Sequence, residues 1–128
     1  MVKRVEALAD SIGKLHGCPN NPESESYKLR NPLLIKSFAK PGKHVTDELG
    51  RRAFDSLLAG YKAGLFDLEL KIAGKSRAGL RPDDKLENLL GCYDIKEKAA
   101  VDCIVAFLRR ALQDQTISAK TSLSYFTE

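Results

Sequence analysis

A chain of 128 residues can form one domain around a single hydrophobic core and is too short for two ordinary domains. Hydrophobic residues make up 43% of it and charged residues 30%, a globular balance that excludes an intrinsically disordered protein. No apolar run approaches the roughly 20 residues of a membrane-spanning helix, so the sequence predicts a soluble chain with no membrane span.

The chain is basic, with a net charge of +4 and a pI near 9.0. Such a charge permits attraction to nucleic acid, to an anionic cell-wall polymer or to an acidic protein. The 21 basic residues are interleaved with 17 acidic ones, and only 7% of residues are aromatic. A single-strand binder would need stacking aromatics beside its cations, so a specific nucleic-acid module is not indicated.

The first residues and the cysteines indicate a cytoplasmic site of synthesis. Glu6 and Asp10 fall where a signal peptide would need an unbroken apolar segment, so no export signal is predicted. Cys18, Cys92 and Cys103 lack the spacing of a zinc site or a disulfide framework. We interpret Cys92 and Cys103 as small core residues, and we expect no metal and no cofactor.

The first predicted helix covers about residues 3 to 16 and ends at Gly17, because glycine followed by proline stops a helix. Four prolines then divide the next segment into turns around the short apolar run 33–35. The residue before Pro32 is pushed away from the α region, so a short strand is expected near residues 33 to 38.

Two interpretations compete from residue 46 onward: one helix to Gly74, or an extended piece ending at Phe54 and a helix capped by Ser56. We prefer the second, with a central helix over about residues 56 to 74. Gly60 and Gly64 within it predict close approach of another backbone, since mid-helix glycine costs about 1 kcal/mol otherwise. The expected buried stripe consists of Leu57, Leu58, Tyr61, Leu65, Leu68 and Ile72.

Two further helices complete a mainly α fold. Pro82 suits the first turn of a helix over about residues 82 to 91, and a last long helix is expected over about 96 to 113. The tail has apolar residues that can dock it on the core: Ile117, Leu123 and Phe126.

The central part of the chain resembles a small phage and prophage virion-type domain family related to the lysozyme-like muramidases. The matching residues are Phe54, Ser56, Ala59-Gly60, Asp67-Leu68, Gly74, Ser76, Leu90 and Tyr93. The run Asn31-Pro32-Leu33-Leu34 is similar to a reduced form of the family's Asn-Asn-Pro-Gly-Asn-Leu turn, and Asp94-Ile95 stands where the family has Ala-Pro. The resemblance implies a single lysozyme-like domain over residues 1–128, mainly α with a short β segment.

The resemblance also implies peptidoglycan as the substrate of an active member, a glycoside hydrolase or lytic transglycosylase. That chemistry needs a carboxylic acid kept protonated by burial, and His16-Gly17 stands where the family has Glu-Gly. The catalytic candidates are therefore His16 and Glu6, the first interpreted as a hydrogen-bonded core histidine and the second as a solvated charge. Whether the chain is an enzyme stays open, and we expect little or no muramidase activity.

The remaining candidate is a basic loop with Gly74 and Gly79 between its charges, which gives cations on adaptable backbone. Its ligand-binding candidates are Lys71, Lys75, Arg77 and Arg81. A solvated surface loop is the competing interpretation.

Two functions follow. The first is a phage-derived lysozyme-like domain that binds cell-wall glycan or serves in a virion, without standard muramidase activity. The alternative is an intracellular basic protein that binds an acidic macromolecule, either a host protein or nucleic acid. We expect synthesis in the cytoplasm, followed in the first case by virion association or release to the cell wall. The oligomeric state is left open.

Overall fold

The structure is a computed structural model that describes residues 3–18, 20–35, 51–75 and 79–127. It is mainly helical, as predicted. In chain order its elements are α1 (Arg4–His16), α2 (Glu25–Lys28), α3 (Leu57–Ile72), α4 (Leu86–Gly91), α5 (Lys98–Leu112) and a 3-10 helix (Leu123–Phe126).

Helix α1 ends where the sequence predicts. Gly17 has φ 104°, in the left-handed region that favours glycine. The backbone N–H of Gly17 donates to the Lys14 carbonyl at 3.1 Å, and that of Cys18 donates to the Gly13 carbonyl at 2.9 Å. These two bonds satisfy carbonyls that the helix leaves without partners, so the stop signal at Gly17 is built into the local backbone.

Helix α3 begins as the preferred interpretation expected. Ser56 precedes it in an extended conformation, and its hydroxyl accepts from the Ala59 backbone N–H at 3.1 Å. Its predicted stripe was too wide, because Leu68 and Ile72 are buried whereas Leu58 is 62% exposed. The side of α3 that carries the glycines faces the protein interior, which turns Leu58 toward solvent.

The glycines of α3 serve close packing, as predicted. A Cβ on Gly60 would lie 1.8 Å from the carbonyl oxygen of Arg30, and one on Gly64 would lie 3.1 Å from Cδ1 of Leu33. The segment that contains Pro32 therefore lies directly on the backbone of α3. At position 60 only glycine leaves room for it, whereas at position 64 the Leu33 side chain would have to shift by a few tenths of an ångström.

The strand expected near residues 33 to 38 does not form in the part that the structure describes. Residues 33–35 are a turn and irregular backbone, and residues 36–38 lie outside the described ranges. The side-chain oxygen of Asn31 accepts from the Ile35 N–H at 3.0 Å, which closes the turn. Its amide nitrogen donates to the carbonyls of Ile35 at 2.9 Å and Arg52 at 2.8 Å. The Ile35 carbonyl also accepts from the Arg52 backbone N–H at 3.0 Å, so the Asn31 side chain and this backbone bond together hold the turn beside Arg52.

The third predicted helix was placed too early, because α4 starts at Leu86 and not at Pro82. The carbonyl of Pro82 accepts from the backbone N–H of Ser124 at 2.8 Å, and the carbonyl of Asp84 accepts from that of Leu123 at 2.8 Å. Residues 82–85 are therefore bonded to the C-terminal segment and cannot use the same carbonyls for a helix.

The core lies where α1 packs against α5 and α3. Its largest fully buried side chains include Leu8, Ile12, Leu68, Leu89, Ile104, Leu108, Ile117 and Leu123. Cys18 is buried, but Cys92 and Cys103 are exposed, so their assignment to the core was wrong. Within the described ranges, no helix has both the length and the apolar character to span a bilayer.

Candidate functional site

His16 is the last residue of α1, and its half-buried ring faces the turn after α4. Its Nε2 lies 3.1 Å from the backbone carbonyl oxygen of Tyr93. Because a carbonyl can only accept, Nε2 carries the proton in this contact. Burial lowers the pKa of His16 below its usual 6.5, which favours the neutral ring. The hydrogen-bonded histidine expected from the sequence is present, half-buried rather than in the core.

The side chain of Tyr93 makes contacts of its own with α3. Its hydroxyl donates to Oδ2 of Asp67 at 2.7 Å, and the Lys71 ammonium pairs with the same carboxylate oxygen. The Lys71 nitrogen also lies 4.7 Å from the centroid of the Tyr93 ring, close enough for a cation–π contact. Burial raises the pKa of the Tyr93 hydroxyl, which stays protonated and continues to donate. We call His16, Tyr93, Asp67 and Lys71 the Tyr93 network.

The Tyr93 network contains a catalytic candidate, His16, and a ligand-binding candidate, Lys71. The sequence gave no reason to expect that these two residues share a neighbour. Tyr93 joins them through its carbonyl on one side and its hydroxyl on the other. The helical spacing of Asp67 and Lys71, one turn apart on α3, was a usable signal for their ion pair. The contact of both with Tyr93 depends on tertiary packing.

Lys71 does not belong to the basic loop. It is only 8% exposed and sits in the last turn of α3, so the structure separates it from the exposed cations of that loop. Lys75 and Arg81 are exposed, as a binding surface requires. Arg77 lies outside the described residues.

The two described ends of the basic loop are close together. Gly74 has φ 75°, and a Cβ there would lie 3.3 Å from the Leu80 carbonyl and 3.8 Å from Cα of Arg81. The backbone N–H of Lys75 donates to the Leu70 carbonyl at 2.9 Å, which ties the start of the loop to α3. The exposed cations of Lys75 and Arg81 therefore emerge from neighbouring stretches of backbone.

Glu6 lies far from His16. Ten residues of helix separate them, a rise of about 15 Å. One carboxylate oxygen of Glu6 accepts from the Lys3 backbone N–H at 3.2 Å, which caps the start of α1. The structure thus does not bring the two catalytic candidates together.

A second polar pair, Asp10 and Tyr61, was missed by the sequence reasoning. Both side chains line the same groove between α1 and α3. Burial raises the pKa of the Asp10 carboxyl, and burial together with the neighbouring Asp10 and Glu6 charges raises that of Tyr61 to about 12. The sequence predicted Tyr61 as part of the buried stripe of α3 and gave Asp10 no role in a site. The one usable signal in the sequence was Tyr61 itself, because a tyrosine in a mostly apolar stripe has a hydroxyl that needs a polar partner.

This pair borders a groove of about 340 Å³ between the two helices. We call it the α1–α3 groove. Its lining residues are Ala9, Asp10, Gly13, Lys14, Cys18, Pro32, Leu57, Leu58 and Tyr61. Most of these side chains are small or apolar, so the groove offers an apolar surface with charge at its margin.

Comparisons with protein-family models, with curated proteins and with solved structures found no match to this chain. The lysozyme-like assignment accordingly rests on the residues quoted from the sequence. Within the described ranges, no three His, Cys, Asp or Glu side chains are grouped closely enough to hold a metal ion.

Proposed function

We propose that this chain is a phage-derived lysozyme-like domain that binds cell-wall glycan or serves in a virion, without the standard muramidase chemistry. The supporting observation is the contact of His16 Nε2 with the Tyr93 carbonyl at 3.1 Å. The proton of that nitrogen is directed at a backbone oxygen. It is therefore not offered to a glycosidic oxygen, which the acid of a muramidase must protonate.

The environment of the other candidate points the same way. The Glu6 carboxylate accepts a hydrogen bond from the Lys3 backbone N–H, so one of its oxygens is used to cap the start of α1. It lies ten helical residues, about 15 Å, from the His16 end of the helix where the family's acid stands. Neither candidate thus supplies the acid.

Binding without hydrolysis would use the exposed cations of the basic loop. Cell-wall polymers carry carboxylates and phosphates, and the exposed Lys75 and Arg81 emerge from neighbouring stretches of backbone. Exposed charges are screened over about 8 Å at physiological ionic strength, so retention on the wall should weaken as salt rises.

The test combines sedimentation and turbidity. Purified protein is mixed with insoluble peptidoglycan, and the pelleted fraction is measured at rising salt. Lys75→Glu with Arg81→Glu should release the protein. The matched control, Lys62→Glu with Arg110→Glu, makes the same change in net charge at exposed positions on α3 and α5 and should not.

Turbidity of the same suspension should not clear. Clearing at an ordinary lysozyme rate that Glu6→Gln abolishes would overturn the non-catalytic part of the proposal. If the wild type stays in the supernatant at low salt, wall binding is wrong. Retention on immobilised heparin or an acidic protein, lost in the loop variant, would then favour the intracellular alternative.

A further inference from the structure

Helix α3 is apolar on its outer face as well as on the face that packs into the core. The two large apolar side chains that the described part of the chain exposes, Leu58 and Phe66, both lie on this helix, at 62% and 64% exposure. A single exposed apolar residue is ordinary on a protein surface, but a helix that is apolar on all sides is normally covered. The outer face of α3 is therefore a candidate contact surface.

Five exposed residues follow one another along this outer face at intervals of three and four positions. They are Ala59, Lys62, Phe66, Glu69 and, at the C-cap, Ala73. This spacing places them on one side of the helix. Phe66 is at the centre, with one charge of each sign beside it and a small residue at each end. We call these five residues the Phe66 stripe.

The two charges of the stripe are available to a partner. Lys62 and Glu69 are exposed, and neither forms an ion pair within the described part of the chain. The other two charges of α3, Asp67 and Lys71, pair with each other on the side of the helix that faces Tyr93. The stripe thus presents a cation and an anion, seven residues apart, on either side of an exposed aromatic ring.

A second copy of α3 in the antiparallel orientation matches this arrangement. Lys62 lies four residues before Phe66 and Glu69 three residues after it, about 6 Å and about 4.5 Å along the helix axis. A two-fold axis at Phe66 therefore brings Lys62 of each copy nearly level with Glu69 of the other. A parallel copy would set lysine against lysine and glutamate against glutamate, which is unfavourable. Charge complementarity thus selects an antiparallel second copy of this chain.

The ends of the stripe fit the same arrangement. Ala59 and Ala73 each lie seven residues from Phe66, so each comes level with the other residue in the opposite copy. Their small side chains let the two helix backbones approach closely. Covering Phe66 removes apolar surface from water and supplies the main favourable contribution, while the ion pairs set the orientation. One helix from each copy gives a small interface, which is typical of weak, transient association.

We propose that the chain forms a two-fold homodimer through the Phe66 stripe, with the α3 helices of the two copies antiparallel. The Phe66 rings of the two copies pack on each other at the axis, and Lys62 of each copy pairs with Glu69 of the other. This contact is separate from the basic loop. Because it is weak, the control variant of the wall-binding test, which changes Lys62, is measured below the dimer's dissociation constant, where both proteins are monomers.

Sedimentation equilibrium over the micromolar range measures the association, with a reductant to prevent disulfides through the exposed Cys92 and Cys103. The wild type should pass from monomer to dimer as its concentration rises. Phe66→Asp should weaken the dimer about tenfold or more, as expected for a central anchor contact. Lys62→Glu should also weaken it, because glutamate then opposes glutamate. Arg110→Glu makes the same change in charge at an exposed position on α5 and should leave the dissociation constant unchanged.

Exchanging the charges tests the pairing itself. Lys62→Glu and Glu69→Lys should each dimerise more weakly than the wild type alone but form a heterodimer when mixed, because every facing pair then joins a lysine to a glutamate. The double variant should associate as the wild type does. Thermal unfolding verifies that every variant folds. A wild type that stays monomeric at all concentrations, equal effects of Lys62→Glu and Arg110→Glu, or no heterodimer in the mixture would each overturn the proposal.

Discussion

Tyr93 connects His16 at the end of α1 with Asp67 and Lys71 on α3. Its carbonyl binds the His16 ring, and its hydroxyl binds the carboxylate that Lys71 neutralises. A tyrosine can do this because it has an apolar ring to bury and a polar tip that needs a partner. The groups on its two sides can be tested separately.

The first prediction concerns the pH dependence of stability. His16 has a lowered pKa in the folded state, so the unfolded chain binds more protons as the pH falls through 6.5. Its contribution to stability is therefore complete above that pH and is lost as the pH falls toward the folded-state pKa. Gln at this position keeps a donor for the Tyr93 carbonyl but does not titrate.

Urea denaturation of the wild type and of His16→Gln at a series of pH values makes the comparison. The difference in their free energies of unfolding should be constant above the usual histidine pKa and should shift in favour of the variant below it. The Asp10 contribution, which has the opposite sign, cancels between the two proteins. A constant difference at every pH would show that the ring titrates as it does in the unfolded chain.

The second prediction concerns the ion pair between Lys71 and Asp67. Removing one partner of a fully buried ion pair costs about 3–5 kcal/mol, and Asp67 is 22% exposed, so Lys71→Met should cost about 1–3 kcal/mol. Adding Asp67→Asn should recover part of that loss. Asparagine carries no charge that would be left unpaired, and its side-chain oxygen can still accept from the Tyr93 hydroxyl. Denaturation of the single and double variants gives the coupling energy. Strictly additive losses would mean that the pair contributes nothing of its own.

At the scale of elements, the sequence predicted what local chemistry determines. Gly17 ends α1 and Ser56 begins α3 because the hydrogen bonds at these two positions join residues at most five positions apart. The start of α4 was mispredicted because Pro82 is bonded to Ser124, which lies about forty residues along the chain. The same reason hid the Tyr93 network. Its members are separated in sequence, and no local pattern relates His16 to Tyr93.

The third prediction tests the contact between α3 and the turn around Pro32. Gly60→Ala would place its Cβ against the Arg30 carbonyl, and backbone cannot move aside as easily as a side chain. Overpacking of this kind costs typically 1–3 kcal/mol, and contact with backbone places the expected loss at about 3 kcal/mol or more.

Gly91→Ala is the matched control. It makes the same change in the last turn of α4, where an added Cβ meets nothing within 4 Å. It should be neutral or stabilising by about 0.5–1 kcal/mol, since alanine is the better helix former. Thermal melts of the two variants give the comparison. Equal effects would mean that a Cβ at position 60 meets no obstacle, and the close approach of the Arg30 carbonyl would be wrong.

For the molecule as a whole, the C-terminal segment determines how the helices close around the core. It makes backbone hydrogen bonds to residues 82–85. The Arg4 guanidinium on α1 donates to the Tyr125 carbonyl at 2.9 Å and lies 4.1 Å from the centroid of the Tyr125 ring. The Tyr125 hydroxyl donates to Asp114 after α5 at 2.7 Å. One segment thus contacts the start of α1, the approach to α4 and the end of α5.

The last prediction is that this segment unfolds together with the rest of the protein. Leu123 is fully buried in the common core, so Leu123→Ala should cost about 2–5 kcal/mol and lower the midpoint of the whole helical transition. Tyr125→Phe keeps the ring on Arg4 and removes the hydrogen bond to Asp114, so it should cost about 0.5–1.5 kcal/mol. Circular dichroism at 222 nm and tyrosine fluorescence, followed during the same thermal melt, make the measurement.

If the C-terminal segment were only loosely attached, it would unfold before the helices. Leu123→Ala would then shift an early change in fluorescence and leave the midpoint of the helical transition unchanged. Coincident shifts in both signals would instead show that the segment and the helices form one cooperative unit.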